Sequence, residues 1–260
     1  MGAGHVHALY VHGHGRVHRL APQAKLVSLF GFVLAVVCTP RDAFWAFGAY
    51  LAIVAGASIA ADLSPALVLR RLAIELPFLA FALFLPFIGQ GEQVDVGPLT
   101  LSVAGLWGMW SILAKGTLAV AASTVITATT SVPEIIVGLD RLRMPRAVTG
   151  IAGFMVRYLD LTVAEARRMS IARQARGHDP RWIWQARATA SSAGVLFIRS
   201  FERGERVHLA MVSRGYDGSM PRADLTGGDG DRPVGAATWL LTLVPALLAA
   251  TVCLLAWGVR

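Results

Sequence analysis

Charge and cysteine are both scarce in this chain of 260 residues. Only 15% of its residues are Asp, Glu, Lys or Arg, well below the roughly 25% of an ordinary soluble domain. The hydrophobic share is 55% and the mean hydropathy is +0.57, which excludes an ordinary water-soluble fold. Cys38 and Cys253, the two cysteines, lie inside apolar runs, so neither a disulfide framework nor a thiolate metal site is indicated. No Gly-x-x-x-x-Gly-Lys-Ser/Thr loop occurs, which excludes a P-loop nucleotide site. Internal repeats and inverted halves are missing too, which counts against a secondary transporter. Asp140, Asp160, Asp179 and Asp217 follow no metal-binding spacing, which counts against a polytopic membrane enzyme with clustered carboxylates. The first 25 residues hold no uninterrupted apolar core, so the first crossing is expected to remain in the mature protein.

The chain is instead rich in apolar runs near the roughly 20 residues that cross a bilayer. The run 26–39, extended back through Ala24 and forward to Ala43, reads as a first span, and the charge-free stretch from Ala43 to Ala61 as a second. A third, over 72–89, carries Glu75 near one end and Pro77 and Pro86 within it, so a kink is expected. Between Leu99 and Val132 only Lys115 interrupts, a length too great for one upright crossing at about 1.5 Å per residue. One long tilted helix or a fold-back between Gly105 and Gly108 would fit; the favoured reading is a short re-entrant or interfacial start and a fourth span ending near Thr130. The run 234–259 supplies a fifth. Glu92 and Asp95 lie between Gly89 and Pro98 without a basic residue, whereas Arg70 and Arg71 precede the third span, which places the N-terminus in the cytoplasm.

The expected fold is therefore all-α: a multi-pass protein of the cell (inner) membrane with about five transmembrane helices. A His/Gly-rich cytoplasmic tail occupies 1–25, spans one to four 26–132, a polar cytoplasmic region 133–222, a Gly/Asp-rich linker 223–233 and the last transmembrane helix 234–260. Of the 24 Lys and Arg residues, 15 fall between Glu134 and Arg222, so the net charge of +8 marks a cytoplasmic segment and not a nucleic-acid surface. Within it apolar residues recur at helical spacing among arginines. The stretches 147–161 and 191–198 are too charged or too short to read as crossings.

Two helix-patterned stretches of that region, 164–177 and 201–216, close on Arg-Gly, as Ala175-Arg176-Gly177 and Ser213-Arg214-Gly215. Glycine supplies the left-handed residue that stops a helix, and arginine places a fixed, forked donor at the tip. Arg173 and Arg176 share a face and suit the negative end of the helix dipole. His178-Asp179 and Tyr216-Asp217 follow, 38 residues apart. One such end is a solvated, dipole-complementing terminus; two point to docking on a partner.

These residues resemble the transmembrane T component of energy-coupling factor transporters, in its cobalt-transport branch. The likeness runs from His18-Arg19-Leu20 and Lys25-Leu26, through Arg157-Tyr158-Leu159 and 172–177, to Arg199 and 210–218, the last string being the most specific. In that family two Ala-Arg-Gly motifs end long coupling helices and insert into grooves on a pair of ATP-binding-cassette ATPases. The resemblance implies that Arg176 and Arg214 are the coupling arginines, with Arg173, His178 and Tyr216 in support; Ser213 stands where alanine is usual. It implies an ATPase dimer on the cytoplasmic side, a substrate-binding membrane subunit and room for a small accessory membrane subunit. ATP and Mg would sit on the ATPases, leaving this chain with no catalytic residue and no cofactor. The cargo implied is cobalt ions, in the setting of cobalamin biosynthesis, with nickel or a vitamin as the alternative.

His5, His7, His12 and His14, with His18 nearby, offer imidazoles suited to cobalt, nickel or zinc. The segment is glycine-rich and lacks a carboxylate or thiolate partner, and a cytoplasmic tail is the favoured reading. Lys115, ionisable at membrane depth, either faces protein or snorkels. Glu75 is expected to pair with Arg71 one turn away. Trp107, Trp110, Trp182, Trp184, Trp239 and Trp257 fall near the span ends, where indoles anchor.

Overall fold

The computed structural model describes residues 10, 15, 17–18, 20–89, 93–96, 99–178, 186–216, 218 and 235–258. In chain order these form α1 (Pro22–Cys38), α2 (Phe44–Ala60), α3 (Pro65–Leu72), a 3₁₀ turn (Ala73–Glu75), α4 (Leu76–Ile88), β1 (Gln93–Val96), β2 (Leu99–Ser102), α5 (Val103–Thr129), α6 (Val132–Arg141), α7 (Arg146–Ala175), α8 (Ala186–Val212) and α9 (Ala236–Gly258). Helices α1 to α5 with α9 make one compact unit, and α7 with α8 belong to a second; α6 straddles the division between Gly138 and Leu139. The fold is that of an all-α polytopic membrane protein, with one antiparallel hairpin in which Gln93 faces Ser102 and Val96 faces Leu99.

Among the described residues, Pro65–Ile88, Val103–Thr129, Arg146–Ala175 and Thr238–Gly258 are long and apolar enough to cross a membrane. Arg146–Ala175 differs from the expectation that 147–161 is no crossing: Arg157 and Asp160 are the only charges over 147–164, so by length and composition that window qualifies. Helices α1 and α2, 17 residues each, sit at the short end of the spanning range. The third span differs from expectation in where it starts and bends. It begins at Pro65, with the Ser64 hydroxyl accepting from the Leu67 amide at 3.3 Å, and it tightens at the 3₁₀ turn ahead of Pro77. Pro77 stands in the first turn of α4, where its missing N–H costs nothing.

Helix α5 runs unbroken through Gly105 and Gly108, so the re-entrant start is not formed. These glycines serve contact, not turning. A Cβ at Gly105 would strike the Leu85 carbonyl and lie 2.7 Å from Pro86 Cα, and one at Gly108 would lie 3.0 Å from Leu85 Cδ2. Close backbone approach at small residues is how helices pack where water gives no hydrophobic drive. The same close packing meets Glu75, which is buried with its carboxylate against Gly116. Arg71, its expected partner, donates to the Thr124 carbonyl and the Thr127 hydroxyl, both at 3.4 Å.

The bundle core joins α1, α2, α5 and α9 through Phe32, Val36, Phe47, Tyr50, Leu118 and Ala249. Phe32 and Phe47 meet Tyr50 edge-on, and the Tyr50 hydroxyl, 2.6 Å from Thr39 Oγ1, reaches the Ala249 carbonyl at 3.4 Å. Outside this core, large side chains such as Phe30, Leu51, Phe78, Phe81 and Phe84 are exposed, as suits a surface solvated by lipid.

Helix α1 ends at Cys38 because Thr39-Pro40 follows, and its last carbonyls are finished by side chains. Thr39 Oγ1 donates to Ala35 O at 2.7 Å, Lys115 Nζ to Val37 O at 2.7 Å, and Trp257 Nε1 to Cys38 O at 3.0 Å. Lys115 thus serves as a cationic cap on the negative end of α1. At the other end Lys25, 1% exposed, donates to Thr129 O at 3.0 Å, Thr130 Oγ1 at 3.2 Å and His18 O at 3.4 Å. Two lysines therefore tie both ends of α1 to α5. Replacing Lys115 with Met leaves Val37 O unpaired and is expected to lower stability by about 1–3 kcal/mol, seen as an earlier thermal unfolding midpoint in detergent, with Lys115→Arg falling between the two.

Candidate functional site

The two Arg-Gly motifs fold into the same cap. At the end of α7 the backbone turns left-handed at Gly177 (φ +82), with the Gly177 amide donating to Gln174 O at 2.9 Å and the His178 amide to Arg173 O at 3.1 Å. At the end of α8 the turn falls at Gly215 (φ +84), with Gly215 donating to Val212 O at 3.0 Å and Tyr216 to Met211 O at 3.0 Å. These paired bonds define a Schellman cap, and in both the arginine is the last residue before the glycine. Nothing lies within 4 Å of a Cβ built at either glycine, so glycine is required by backbone angle alone. The α2 and α6 ends close through Asp62 (φ 54) and Arg143 (φ 65) without glycine.

Because the backbone satisfies its own carbonyls, the guanidinium groups of Arg176 and Arg214 stay exposed, and among the described residues they take no hydrogen bond or ion pair. Ser213 keeps its hydroxyl on its own helix, donating to Ala210 O at 3.0 Å, so the second tip presents nearly the surface that alanine would. Arg173 Nε and His178 Nε2 are buried without a partner among the described residues, and Tyr216 is half-buried.

A single carboxylate joins the two helices. Glu165 on α7 is 8% exposed; Arg199 Nη1 donates to its Oε1 at 3.0 Å and Arg203 Nη2 to its Oε2 at 3.1 Å. One turn apart on α8, the two arginines form a charge-assisted fork around one acceptor. Alongside, Phe154, Tyr158 and Thr162 of α7 and Gly204, Val207 and Met211 of α8 line a groove of about 300 Å³. Residues later in α8 thus lie against residues earlier in α7, so the helices cross antiparallel and carry Arg176 and Arg214 away from the crossing in opposite directions. Sequence reasoning saw Glu165 only as part of a helix; the signal available was the Arg199/Arg203 spacing of four, which needs an acceptor.

Only the window 147–164 of α7 holds 18 residues with no more than two charges, so Glu165 lies past its apolar part. The hydrogen bond from Arg199, then that from Arg203, holds the Glu165 carboxyl below its ordinary range. His5, His7, His12, His14, Asp179, Asp217, Trp182 and Trp184 lie outside the described residues, and within those no three His, Cys, Asp or Glu side chains gather as a metal site.

A family model described as cobalt transport protein, CbiQ, matches residues 15–224. The chain is 27% identical over 244 residues to a fused cobalt transport protein, CbiMQ, of Methanocorpusculum labreanum, an alignment spanning 89% of this chain and 40% of that protein's length. It is 25% identical over 226 residues to the energy-coupling factor transporter transmembrane protein EcfT of Thermosediminibacter oceani, covering 82% of this chain and 84% of the other. Over 130 residues, half of each chain, it is 31% identical to the cobalt transport protein CbiQ of Rhodobacter capsulatus. The membrane bundle and the family match define a transmembrane component of a transporter. The chain belongs to the cobalt transport protein family, CbiQ, whose relatives include the transmembrane proteins of energy-coupling factor transporters.

Gly177→Ala and Gly215→Ala each force a Cβ into a left-handed residue at about 1–2 kcal/mol; faster amide exchange confined to 173–178 or 211–216 is the expected readout. A depressed carboxylate pKa contributes stability that is complete above the ordinary value and is lost as pH falls through the folded one. Acidification to and below the usual carboxylate range is therefore expected to release α8 from α7, read as increased exchange around 199–203. Glu165→Gln should show that increase already at neutral pH.

Proposed function

We propose that the chain is the membrane-embedded coupling subunit of an ATP-driven energy-coupling factor importer, with cobalt ions as cargo. The observation that carries this reading is the pair of identically capped helix ends, each presenting an unengaged arginine, on two helices gripped by Glu165. A guanidinium fork suits acceptors in a groove on a partner surface, and a rigid cap lets a push at the tip travel along the helix instead of unwinding it. The partners in this reading are a cytoplasmic dimer of ATP-binding-cassette ATPases, which hold ATP and Mg, and a substrate-binding membrane subunit, with a small accessory membrane subunit completing the complex. When the ATPase pair closes on ATP, the tips move and α7 and α8 pass that movement to the cargo-binding subunit. The N-terminus is cytoplasmic in this arrangement, a reading supported by Arg141, Arg143 and Arg146, which follow the first apolar spans closely in the chain. The cargo assignment is supported by the family description and by the two cobalt-transport relatives.

A secondary transporter would need ionisable groups lining its spans; here Lys115 caps α1, Lys25 bonds the end of α5 and the Glu75 carboxylate is packed against Gly116. The test is Arg176→Glu with Arg214→Glu in the whole complex. Each charge reversal at a hydrogen-bonded interface contact costs about 2–5 kcal/mol, so cobalt uptake is expected to fall at least tenfold and ATPase retention on affinity purification to drop. Unchanged uptake and retention in the double variant would refute the coupling role.

A further inference from the structure

A cavity of about 470 Å³ lies within the membrane unit, between α1, α2, α5 and α9. That is well inside the roughly 300–1,000 Å³ of small-molecule sites. Its walls are apolar, with Phe32, Val54, Ala122 and Pro245 among them, and Lys25 and Ser28 of α1 contribute polar groups near one end. From Lys25 to Phe32 the lining runs seven residues along α1, about 10 Å at 1.5 Å per residue.

Lys25 is 1% exposed, and its ammonium directs its hydrogen bonds to two carbonyls and a hydroxyl, none of them charged. Glu134, one of two acidic residues of α6, accepts from the Ser131 amide at 2.8 Å and acts on Lys25 only through space, and Lys25 forms no ion pair among the described residues. A buried cation without an anion in contact is costly. Ser28 is 6% exposed and lines the cavity; unlike Ser58, Thr124 and Thr129, whose hydroxyls bond back to their own helix, it has no hydrogen-bond partner among the described residues. A slot with apolar walls, a buried cation with no carboxylate in contact and a spare hydroxyl is complementary to an anionic amphiphile, and the membrane around the chain is made of amphiphiles.

We propose that this cavity binds one membrane phospholipid with an anionic headgroup, its acyl chain between α1, α2, α5 and α9 and its phosphate at Lys25 and Ser28. Pockets between membrane helices that carry a basic residue bind anionic heads through the same pairing. Occupation fills a void in the bundle beside the lysine that ties α1 to α5, so the lipid acts as a structural ligand.

Gly56 provides a filling variant. It lines the cavity, and nothing lies within 4 Å of a Cβ built there, so Gly56→Phe can occupy the space without displacing backbone. The experiment is native mass spectrometry of the full chain, with thermal unfolding followed in micelles supplemented with phosphatidylglycerol or phosphatidylcholine. The wild type is expected to retain one phospholipid and to unfold several degrees higher with phosphatidylglycerol. Gly56→Phe should lose both the bound lipid and the difference between the two supplements while unfolding cooperatively. Ser28→Ala should keep cooperative unfolding and bind phosphatidylglycerol at least threefold more weakly. Should Gly56→Phe not fold, Ala57→Leu is read by the same criteria. Equal stabilisation by the two lipids, or wild-type lipid retention in the filled variant, overturns the proposal. So does a lipid-free chain recovered in complex with its partner subunits, which would mean that a partner segment occupies the cavity.

Discussion

Hydrocarbon offers no hydrogen bonds, so a membrane helix that stops short must be finished by its neighbours. Helix α1, only 17 residues long, is where this requirement shapes the bundle. Its C-terminal carbonyls draw Lys115 from α5 and Trp257 from α9, and Lys25 near its N-terminus reaches the last residues of α5. These bonds set the register of α1 against α5 and bring α9, the last of the described helices, onto the first of them. Tyr50 and the small residues between the helices complete a packing that the polar anchors have already aligned. Lysine in a span is usually read as a transport residue; here both membrane lysines donate to main-chain carbonyls and tie the ends of α1 to α5.

The unit containing α7 and α8 solves the same end problem in the opposite manner. Its two helices close on glycine, the main chain satisfies itself, and the arginine before each glycine is left with its full set of donors. Where α2 and α6 close through Asp62 and Arg143, the turn is made without glycine. The unengaged guanidinium groups are thus a product of the cap chemistry, and the Glu165 fork pins the two helices that carry them at one crossing.

Much of this was legible in the sequence because it rests on local rules. The apolar runs marked α1, α2, α4, α5 and α9, and Arg-Gly marked both caps; the start of the third span at Pro65 and the apolar length of α7 were not legible in the runs, because Arg70, Arg71, Arg157 and Asp160 interrupt them. The sequence was least legible where spacing along the chain carries no signal of contact. Gly105 and Gly108 looked like a turn because glycine weakens helices; their packing against Leu85 and Pro86 depends on a helix that ends ten or more residues earlier. Glu75 looked like the partner of Arg71 one turn away, but the glycine at 116 opened a place for it on α5. Lys115 was undecided because its acceptor, Val37 O, is a main-chain group with no residue signature. Glu165 escaped notice since its two partners sit on another helix.

The crossing at Glu165 divides the two helices unequally. Eleven residues separate it from Arg176, and thirteen separate the midpoint of the Arg199/Arg203 fork from Arg214, lengths of roughly 17 and 20 Å along the axes. The pair is therefore a set of levers on one fulcrum, and the shorter arm turns through the larger angle for a given displacement at its tip. A symmetric stroke applied to both tips would be converted into an asymmetric rotation, with α7 swinging further than α8. In the proposed coupling role, a two-fold motor would in this way drive a load that has no two-fold symmetry of its own.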